Sequence, residues 1–189
     1  GDEYDQLRVT GTVDLDGATL DASRLAAYEP LTGTEFILID NDEDDEIAGI
    51  FAGLPEGALV ELSGLWARIS YVGGTGNDVT LTAVDPTVTL SVDPADIAED
   101  GGVATVTATL AHTHIRAVTV ELGFSGTATL TEDYTRSDVQ IVIPAGSLTG
   151  SVTVTAVQDT VYEGNETVVV DITGVTNGTE NGSQQATTT

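Results

Sequence analysis

Residues 103–110, VATVTATL, alternate between apolar and threonine side chains over a whole segment. Successive side chains of a strand point to opposite faces, so this alternation predicts a strand with one buried face. Four segments with related β-rich patterns follow at short intervals: AVTVEL (117–122), VQIVIPAG (139–146), SVTVTAV (151–157) and TVVVDI (167–172). The connections contain Gly, Asp and Pro and are too short for helical crossovers, so the pattern predicts an antiparallel β-sandwich.

The first part of the chain has less regular strands and more clustered acidic residues. The change occurs near TAVDPTVTLSVDP, residues 82–94, where Asp85 precedes Pro86. A residue before proline is restricted to extended geometry, which suits a boundary between domains. We therefore expect two β-rich domains, residues 1–84 and 85–189, in an all-β protein.

The second part closely resembles a Calx-β domain over about residues 86–189. The resemblance is carried, in order, by VTLSVDPADIAEDGGVATVTATL, GTATLTEDYT, VIPAGSLTGSVTVTAVQDT and VYEGNE. It implies an immunoglobulin-like sandwich of seven strands, of a kind often found in tandem on secreted or surface proteins. The family would continue a final strand after VDITGVTNGTENGSQQATTT, so the resemblance implies an incomplete last strand with an open edge. Another chain could pair with such an edge, although a truncated sequence explains it more simply.

The first part resembles the C-terminal turns and cap of a passenger-type β-solenoid of bacterial autotransporters. The segments that carry this resemblance are YDQLRVTGTVDLDGATL, FILIDND, GIFAGLPEGALVEL and ISYVGGTGNDVTLTAV. Turns of a solenoid bury their faces against neighbouring turns, so the resemblance implies further solenoid before Gly1 in the parent protein.

Composition narrows the possible partners. The chain has 189 residues, a formal net charge of −26, no cysteine and no lysine. Such a charge repels nucleic acid and anionic lipid, so we expect no nucleic acid partner. No segment approaches the roughly 18 apolar residues of a membrane span, so we expect no direct membrane insertion. An acidic surface fits a salty external medium, and we expect a secreted or cell-surface protein.

The segment DTVYEGNETVVV, residues 159–170, places Asp159, Glu163 and Glu166 within one short turn before a strand. Clustered carboxylates repel one another, and Ca²⁺ is a hard cation that binds six to eight oxygen ligands. The Calx-β resemblance implies a calcium site at one end of the sandwich and adds Glu99 and Asp133 from two other loops. This chain has Gln158 beside Asp159 where the family's calcium sensors tend to have paired acids, and it lacks the trailing Asp cluster. The same acids could instead cap turns in water.

Other candidate metal sites have simpler interpretations. DNDEDDE, residues 40–46, places Asp40, Asp42 and Asp44 at alternate positions, but it lacks the glycine and the distant glutamate of a calcium loop, so a solvated loop is expected. GGTGND, residues 73–78, resembles the calcium-binding nonapeptide of β-rolls, but a single copy favours a hairpin or solenoid turn. His112 and His114 do not complete a zinc site by themselves.

These features predict a non-catalytic structural or adhesive module of a larger bacterial surface protein, stiffened by calcium. Neighbouring copies or other surface proteins are the expected partners, in a layer or a filament. Calcium sensing or carbohydrate binding as an accessory to a secreted enzyme is the alternative, and sugar binding would need an exposed Trp66 or tyrosine. Neither histidine lies in a recognisable nucleophile motif, so we do not expect an enzyme.

Overall fold

The computed structural model describes residues 4–25, 28–41, 45–160 and 164–189. Within these ranges every regular element is a β-strand, so the predicted all-β class is confirmed. The chain divides into two compact units, Gly1–Val84 and Asp85–Thr189. None of the described residues forms a helix long and apolar enough to cross a bilayer.

The described part of the first unit contains seven strands. They are β1 (Leu7–Val9), β2 (Val13–Asp14), β3 (Glu35–Asn41), β4 (Ile47–Ala48), β5 (Leu59–Leu62), β6 (Leu65–Gly73) and β7 (Asp78–Ala83). Five of them form one sheet in the order β1-β3-β7-β6-β5, and β2 pairs with β4.

The first unit contains both parallel and antiparallel strand pairs. β1 runs parallel to β3, with Leu7 opposite Ile39, and β2 runs parallel to β4, with Val13 opposite Ile47. The hydrogen bond from Leu15 N to the Ala48 carbonyl continues this alignment beyond the strands. β3, β7, β6 and β5 pair antiparallel. Two stretches of chain therefore run side by side in one direction, next to an antiparallel meander.

Alternation in β6 supplies part of the core of the first unit. Leu65, Ala67, Ile69 and Tyr71 are buried, while the residues between them are exposed or half-buried. In β7 both faces are covered along most of the strand, because consecutive residues from Asp78 to Leu81 are all buried. A central strand with two covered faces must bury its polar side chains as well as its apolar ones.

The described part of the second unit contains nine strands. They are β8 (Thr87–Asp93), β9 (Val103–Leu110), β10 (Val118–Gly126), β11 (Tyr134–Arg136), β12 (Gln140–Ile143), β13 (Thr149–Ala156), β14 (Val168–Thr176), β15 (Thr179–Glu180) and β16 (Gln185–Thr188). A four-stranded sheet has the order β12-β10-β14-β16, and a five-stranded sheet has the order β11-β13-β9-β8-β15.

The two sheets form an immunoglobulin-like sandwich around one core. β9 shows how the sequence produces it: Ala104, Val106, Ala108 and Leu110 are buried, and the threonines between them face outward. The described core residues come from both sheets and are Val88, Leu90, Val106, Ala108, Leu110, Val118, Val120, Leu122, Tyr134, Ile141, Ile143, Val152, Val154, Val168, Val170, Ile172 and Ala186. Except for β15, which pairs parallel with β8, the strands pair antiparallel.

The last strand is short but bonded on both sides at its end. β16 pairs antiparallel with β14, with Val168 opposite Thr188. Beyond the strand, the Thr189 carbonyl accepts a hydrogen bond from Ile97 N at 2.7 Å, and Thr189 N donates to the Ala95 carbonyl at 2.8 Å. The edge expected to be open is therefore partly occupied by the segment that follows β8.

Candidate calcium site

Three loops and the end of the last strand meet at one end of the sandwich. The loops join β8 to β9, β10 to β11, and β13 to β14, and antiparallel pairing brings their ends together. A cavity of about 420 Å³ lies there. The residues that line it are Asp96, Ile97, Glu99, Ala128, Asp133, Tyr134, Ala156, Val157, Gly164, Asn165, Glu166, Val168, Thr188 and Thr189.

The structure brings together three of the five residues predicted as metal ligands. Glu99, Asp133 and Glu166 each line the cavity, and each comes from a different loop. Asp159 is exposed and does not line it. Glu163 lies outside the described residues. The carboxylates that meet are therefore distant in sequence rather than clustered in one turn.

Asp133 is fixed by main-chain hydrogen bonds of its own loop. Its Oδ2 accepts a hydrogen bond from Thr129 N at 2.7 Å, and its N donates to the Thr129 carbonyl at 2.9 Å. The Asp133 carbonyl accepts from Val157 N at 2.8 Å, which ties this loop to the end of β13. Only Oδ2 is used in this side-chain hydrogen bond. The carboxylate therefore has further lone pairs that could bind another donor or a cation.

Glu99 lies on a tight turn that leads into β9. Gly101 N donates to the Glu99 carbonyl at 2.7 Å, and Gly102 N donates to the Ala98 carbonyl at 2.8 Å. A Cβ at Gly102 would lie 2.5 Å from that Ala98 oxygen, so the turn needs a glycine there. The Gly102 carbonyl accepts from Ala156 N at 2.9 Å, which joins this turn to β13.

Glu166 lies just before a contact between the end of β10 and the start of β14. Thr167 N donates to Thr127 Oγ1 at 2.9 Å, and Thr127 N donates to the Thr167 carbonyl at 3.0 Å. Glu166 is half-buried immediately before this pair of hydrogen bonds. The loop that carries Asp133 and the segment that carries Glu166 are thus directly bonded to each other.

Asp96 was missed by the sequence interpretation. It is exposed, it lines the same cavity, and its neighbour Ile97 is held by the hydrogen bond to Thr189 described above. The available signal was its position three residues before Glu99 in ADIAED. The spacing of Asp96 and Glu99 indicates a shared site only when the loop is known to fold back over the end of the sandwich.

The donor set of the cavity suits a hard cation. Its charged groups are carboxylates, and the backbone carbonyls and the Asn165 amide around them are oxygen donors of the kind that Ca²⁺ uses. Among the described residues, no three His, Asp or Glu side chains lie close enough together to hold an ion as they stand. Binding would therefore require Glu99 and Asp96, both exposed, to turn inward toward Asp133.

The other predicted candidates lie apart from this cavity. Asp42 and Asp44 lie outside the described residues, and Asp40 Oδ2 lies 3.4 Å from Arg8 Nε in an exposed pair. Such exposed pairs contribute little to stability. Residues 73–78 join the antiparallel strands β6 and β7, with Gly76 N donating to the Gly73 carbonyl at 2.7 Å.

The two histidines are buried in the second unit rather than placed in the cavity. His112 is 9% exposed and His114 is 3% exposed. His114 Nε2 lies 3.4 Å from Asp85 Oδ1, and its Nδ1 lies 3.2 Å from the Arg116 carbonyl oxygen. Burial lowers the pKa of His114, and the Arg116 carbonyl and Asp85 offset this only in part. A neutral buried imidazole fits a structural role.

Comparison with known proteins identifies the second unit. Residues 83–189 match the sequence model of the Calx-beta domain. The chain belongs to the Calx-beta domain family. The match covers more than half of the chain and begins at residue 83, so nearly all of the first unit lies outside it.

Two solved structures are similar to the chain. One is a crystal structure of CBD12 from CALX1.2, with 15% identity and a TM-score of 0.44, covering 53% of this chain and 43% of that chain. The other is WR4, a C. elegans MSP family member, with 13% identity and a TM-score of 0.33, covering 53% of this chain and 95% of that chain. No curated protein matches the chain.

Proposed function

We propose that the Calx-beta unit binds calcium in the loop-end cavity and serves as a structural module. Glu99, Asp133 and Glu166 are the proposed ligands, and Asp96 adds a fourth carboxylate. Asp159 and Glu163 remain predicted ligands from the sequence, in the segment that precedes Glu166. A cation shared by these groups would hold three loops together and offset their mutual repulsion.

The convergence of the acids carries this proposal. A set of solvated turn acids has no need to line one cavity, yet residues 99, 133 and 166 come from three loops and do so. Two of the three loops are also tied to β13 by main-chain hydrogen bonds, through Gly102 and Asp133. Calcium binding would therefore stiffen loops that main-chain hydrogen bonds already hold together, which suits a structural role.

The proposed setting is extracellular and non-catalytic. A net charge of −26 without lysine or cysteine fits a secreted or surface module in a salty medium. The described residues that line the acid-lined cavity include neither of the two histidines. Neighbouring copies or other surface proteins are the proposed partners. Sugar binding would need an exposed Trp66 or tyrosine. Trp66 is half-buried, and Tyr4, which is 44% exposed, packs edge-to-face against Phe36.

Thermal unfolding of the full chain tests the calcium proposal. The chain is unfolded in chelator, in calcium, and in the same concentration of magnesium. A ligand that binds only the folded state adds about 1.4 kcal/mol when its free concentration is tenfold above Kd. We expect a calcium-specific rise in the midpoint of the second unit, and we expect Glu166→Gln to remove most of it.

Glu121→Gln is the matched control for Glu166→Gln. Glu121 is exposed in the middle of β10 and does not line the cavity, so its replacement removes the same charge elsewhere on the same unit. If calcium and magnesium stabilise equally, and both variants behave like the parent chain, the ions only screen negative charge and the proposal is wrong.

We also propose that the first unit is the end of a β-solenoid. The observation in favour is that β1 and β2 run parallel to β3 and β4 in matching order, as two consecutive turns of a solenoid do. Nuclear Overhauser contacts between residues 7–9 and 39–41 test it. A parallel pattern of contacts supports stacked turns, whereas an antiparallel pattern excludes them.

A further inference from the structure

A cluster of polar side chains is buried in the first unit, where the rest of the core is apolar. Asn41, Asn77, Asp78 and Thr80 are exposed to 1%, 8%, 1% and 0% respectively. Buried polar groups in folded proteins almost always have hydrogen-bond partners. The cluster lies where Asn41 and Asp45 meet the segment 73–78. Both belong to parts of the sequence that were considered above as candidate calcium loops.

Asp78 joins the two segments through its carboxylate. Its Oδ1 accepts a hydrogen bond from Asn41 N at 2.8 Å, and its Oδ2 accepts from Thr75 N at 2.9 Å. The Thr75 hydroxyl has one proton, and it lies 2.8 Å from Asn77 Oδ1 and 3.1 Å from Asp78 Oδ2. A carboxylate offers about four lone-pair positions, so these donors leave about one or two. Neither of the two ion pairs formed among the described residues includes Asp78.

Asn41 has an unpartnered side-chain oxygen, and its backbone N–H contacts this carboxylate. Its Nδ2 donates to the Asp45 carbonyl, which also accepts from Asn77 Nδ2 at 3.1 Å. This contact fixes the orientation of the amide group, because a reversed amide would place two oxygens together. Asn41 Oδ1 is then buried with no hydrogen-bond partner. The Asn41 backbone N–H binds Asp78, so the free oxygen belongs to a residue that already contacts the carboxylate.

Thr80 supplies a second unpartnered oxygen in the same cluster. Its Oγ1 is buried without a hydrogen-bond partner. Thr80 packs against Gly73 and the Asp78 carboxylate packs against Gly74, and an added Cβ at either glycine would overlap these side chains. The two glycines therefore allow the Thr80 and Asp78 side chains to lie against neighbouring positions of one backbone segment.

We propose that this cluster binds a calcium ion, with Asp78 as the charged ligand and Asn41 Oδ1 as a neutral ligand. Calcium accepts carboxylate, amide and backbone carbonyl oxygens together with water, so the described groups are of the right kind. The bound ion would satisfy the Asn41 oxygen and balance the buried charge of Asp78. The site is separate from the loop-end cavity of the Calx-beta unit and does not depend on it.

A single fully charged ligand predicts weak binding. Affinity for calcium rises with the number of carboxylates, so a dissociation constant on the order of 10⁻⁴–10⁻³ M is expected, the range of extracellular modules. Magnesium requires a more regular octahedral arrangement and loses water reluctantly, so it should compete poorly for a site built from fixed amide and carboxylate groups.

Nuclear magnetic resonance of the full chain tests the site directly. The side-chain amide signals of Asn41 and Asn77 are followed while calcium alone is added to about 10 mM, tenfold above the weak end of that range. We expect both signals to shift and saturate, with no comparable change in magnesium. The shifts should persist in Glu166→Gln, which separates this site from the one in the second unit. Signals that do not move with calcium would show that water fills the cluster and would overturn the proposal.

Two substitutions in the cluster and one control outside it have different expected results. Asp78→Asn should abolish the calcium-dependent shifts, while Asp21→Asn, which removes an exposed carboxylate of the same unit, should leave them intact. Asn41→Asp adds a second charge, and we expect it to tighten calcium binding several-fold. An Asn41→Asp variant that is folded by Trp66 fluorescence but binds calcium no better than the parent chain would contradict the proposal. If Asp78→Asn unfolds the unit, Asn41→Asp still decides the matter.

Discussion

Replacing Gly126 by alanine tests the part of the fold that brings two loops of the cavity together. Gly126 ends β10 with a φ of +121°, a conformation that side chains rarely adopt. A Cβ at this position would overlap the Thr167 carbonyl oxygen and lie 2.8 Å from its carbon. That carbonyl accepts the hydrogen bond from Thr127 N, so the new methyl group would push apart the segments that carry Asp133 and Glu166.

The expected cost of Gly126→Ala has two parts. Backbone strain at such a φ costs about 1–3 kcal/mol. Making room for an extra carbon in a packed region costs about 1–3 kcal/mol more. The free energy of unfolding of the second unit should therefore fall by roughly 4 kcal/mol, between limits of about 2 and 6. For a domain of this size each kcal/mol lowers the midpoint by about 4–8 °C.

Gly146→Ala separates the two parts. Gly146 also has a positive φ, +75°, but an added Cβ would meet no atom within 4 Å. It therefore carries backbone strain without overlap, and about 1–2 kcal/mol is expected. The difference between the two variants measures the contact between Gly126 and Thr167.

Scanning calorimetry and hydrogen exchange of the second unit are the appropriate assays. Trp66, the single tryptophan, lies in the first unit, so its fluorescence reports whether that unit is unaffected. We also expect Gly126→Ala to weaken the stabilisation by calcium, since it displaces Glu166 from Asp133. Equal losses of stability in both glycine variants would refute the close approach, and with it the described arrangement of the cavity.

Three further outcomes follow from burial and charge. The pKa of His114 is lowered by burial, so the unfolded chain takes up the proton first, and the free energy of unfolding should fall as the pH drops below about 6.5. Urea titrations at several pH values measure this fall. The free energy of unfolding should depend less on pH in His114→Gln than in the parent chain, whereas His112→Gln should behave like the parent chain. An equal pH dependence in the two variants would contradict this. Leu81→Ala, at a site 2% exposed, should cost the first unit about 2–5 kcal/mol by Trp66 fluorescence, and a loss below 1 kcal/mol would mean that the site is not packed as described. Added NaCl should raise the midpoints of both units by screening the net charge of −26, and a fall would show that repulsion does not limit stability.

The strands of the sandwich could be predicted from the sequence because their signal is local. β9 begins and ends at the boundaries of VATVTATL, because Ala104, Val106, Ala108 and Leu110 face the core and the threonines lie on the opposite face. The same period marks β13, which the pattern placed within two residues of its observed bounds, Thr149–Ala156. β15 has only two residues, Thr179 and Glu180, and no period to recognise.

The candidate sites depend on contacts that no local pattern encodes. Asp159 was predicted from its closeness to Glu166 in sequence, but it is exposed and is not among the described residues that line the cavity. Asp96 lines the cavity because the loop after β8 folds back toward the end of β16. Asn41 and Asp78 are 37 positions apart, and β3 pairs with β7 to bring them together. Each of their segments seemed too incomplete for a metal site when considered alone.

Because the chain is so negatively charged, the direction in which a substitution changes stability says more about calcium coordination than the size of the change. Any divalent cation will stabilise a chain with 31 acidic residues to some degree by screening. Removing one carboxylate from the cavity relieves repulsion, so Glu166→Gln should be slightly more stable than the parent chain in chelator. In calcium the same variant lacks a ligand and should be less stable than the parent chain. Glu121→Gln removes the same charge from an exposed position of β10 and should change the stability in the same direction in chelator and in calcium. A reversal of order on adding calcium, confined to the cavity variant, therefore distinguishes coordination from screening.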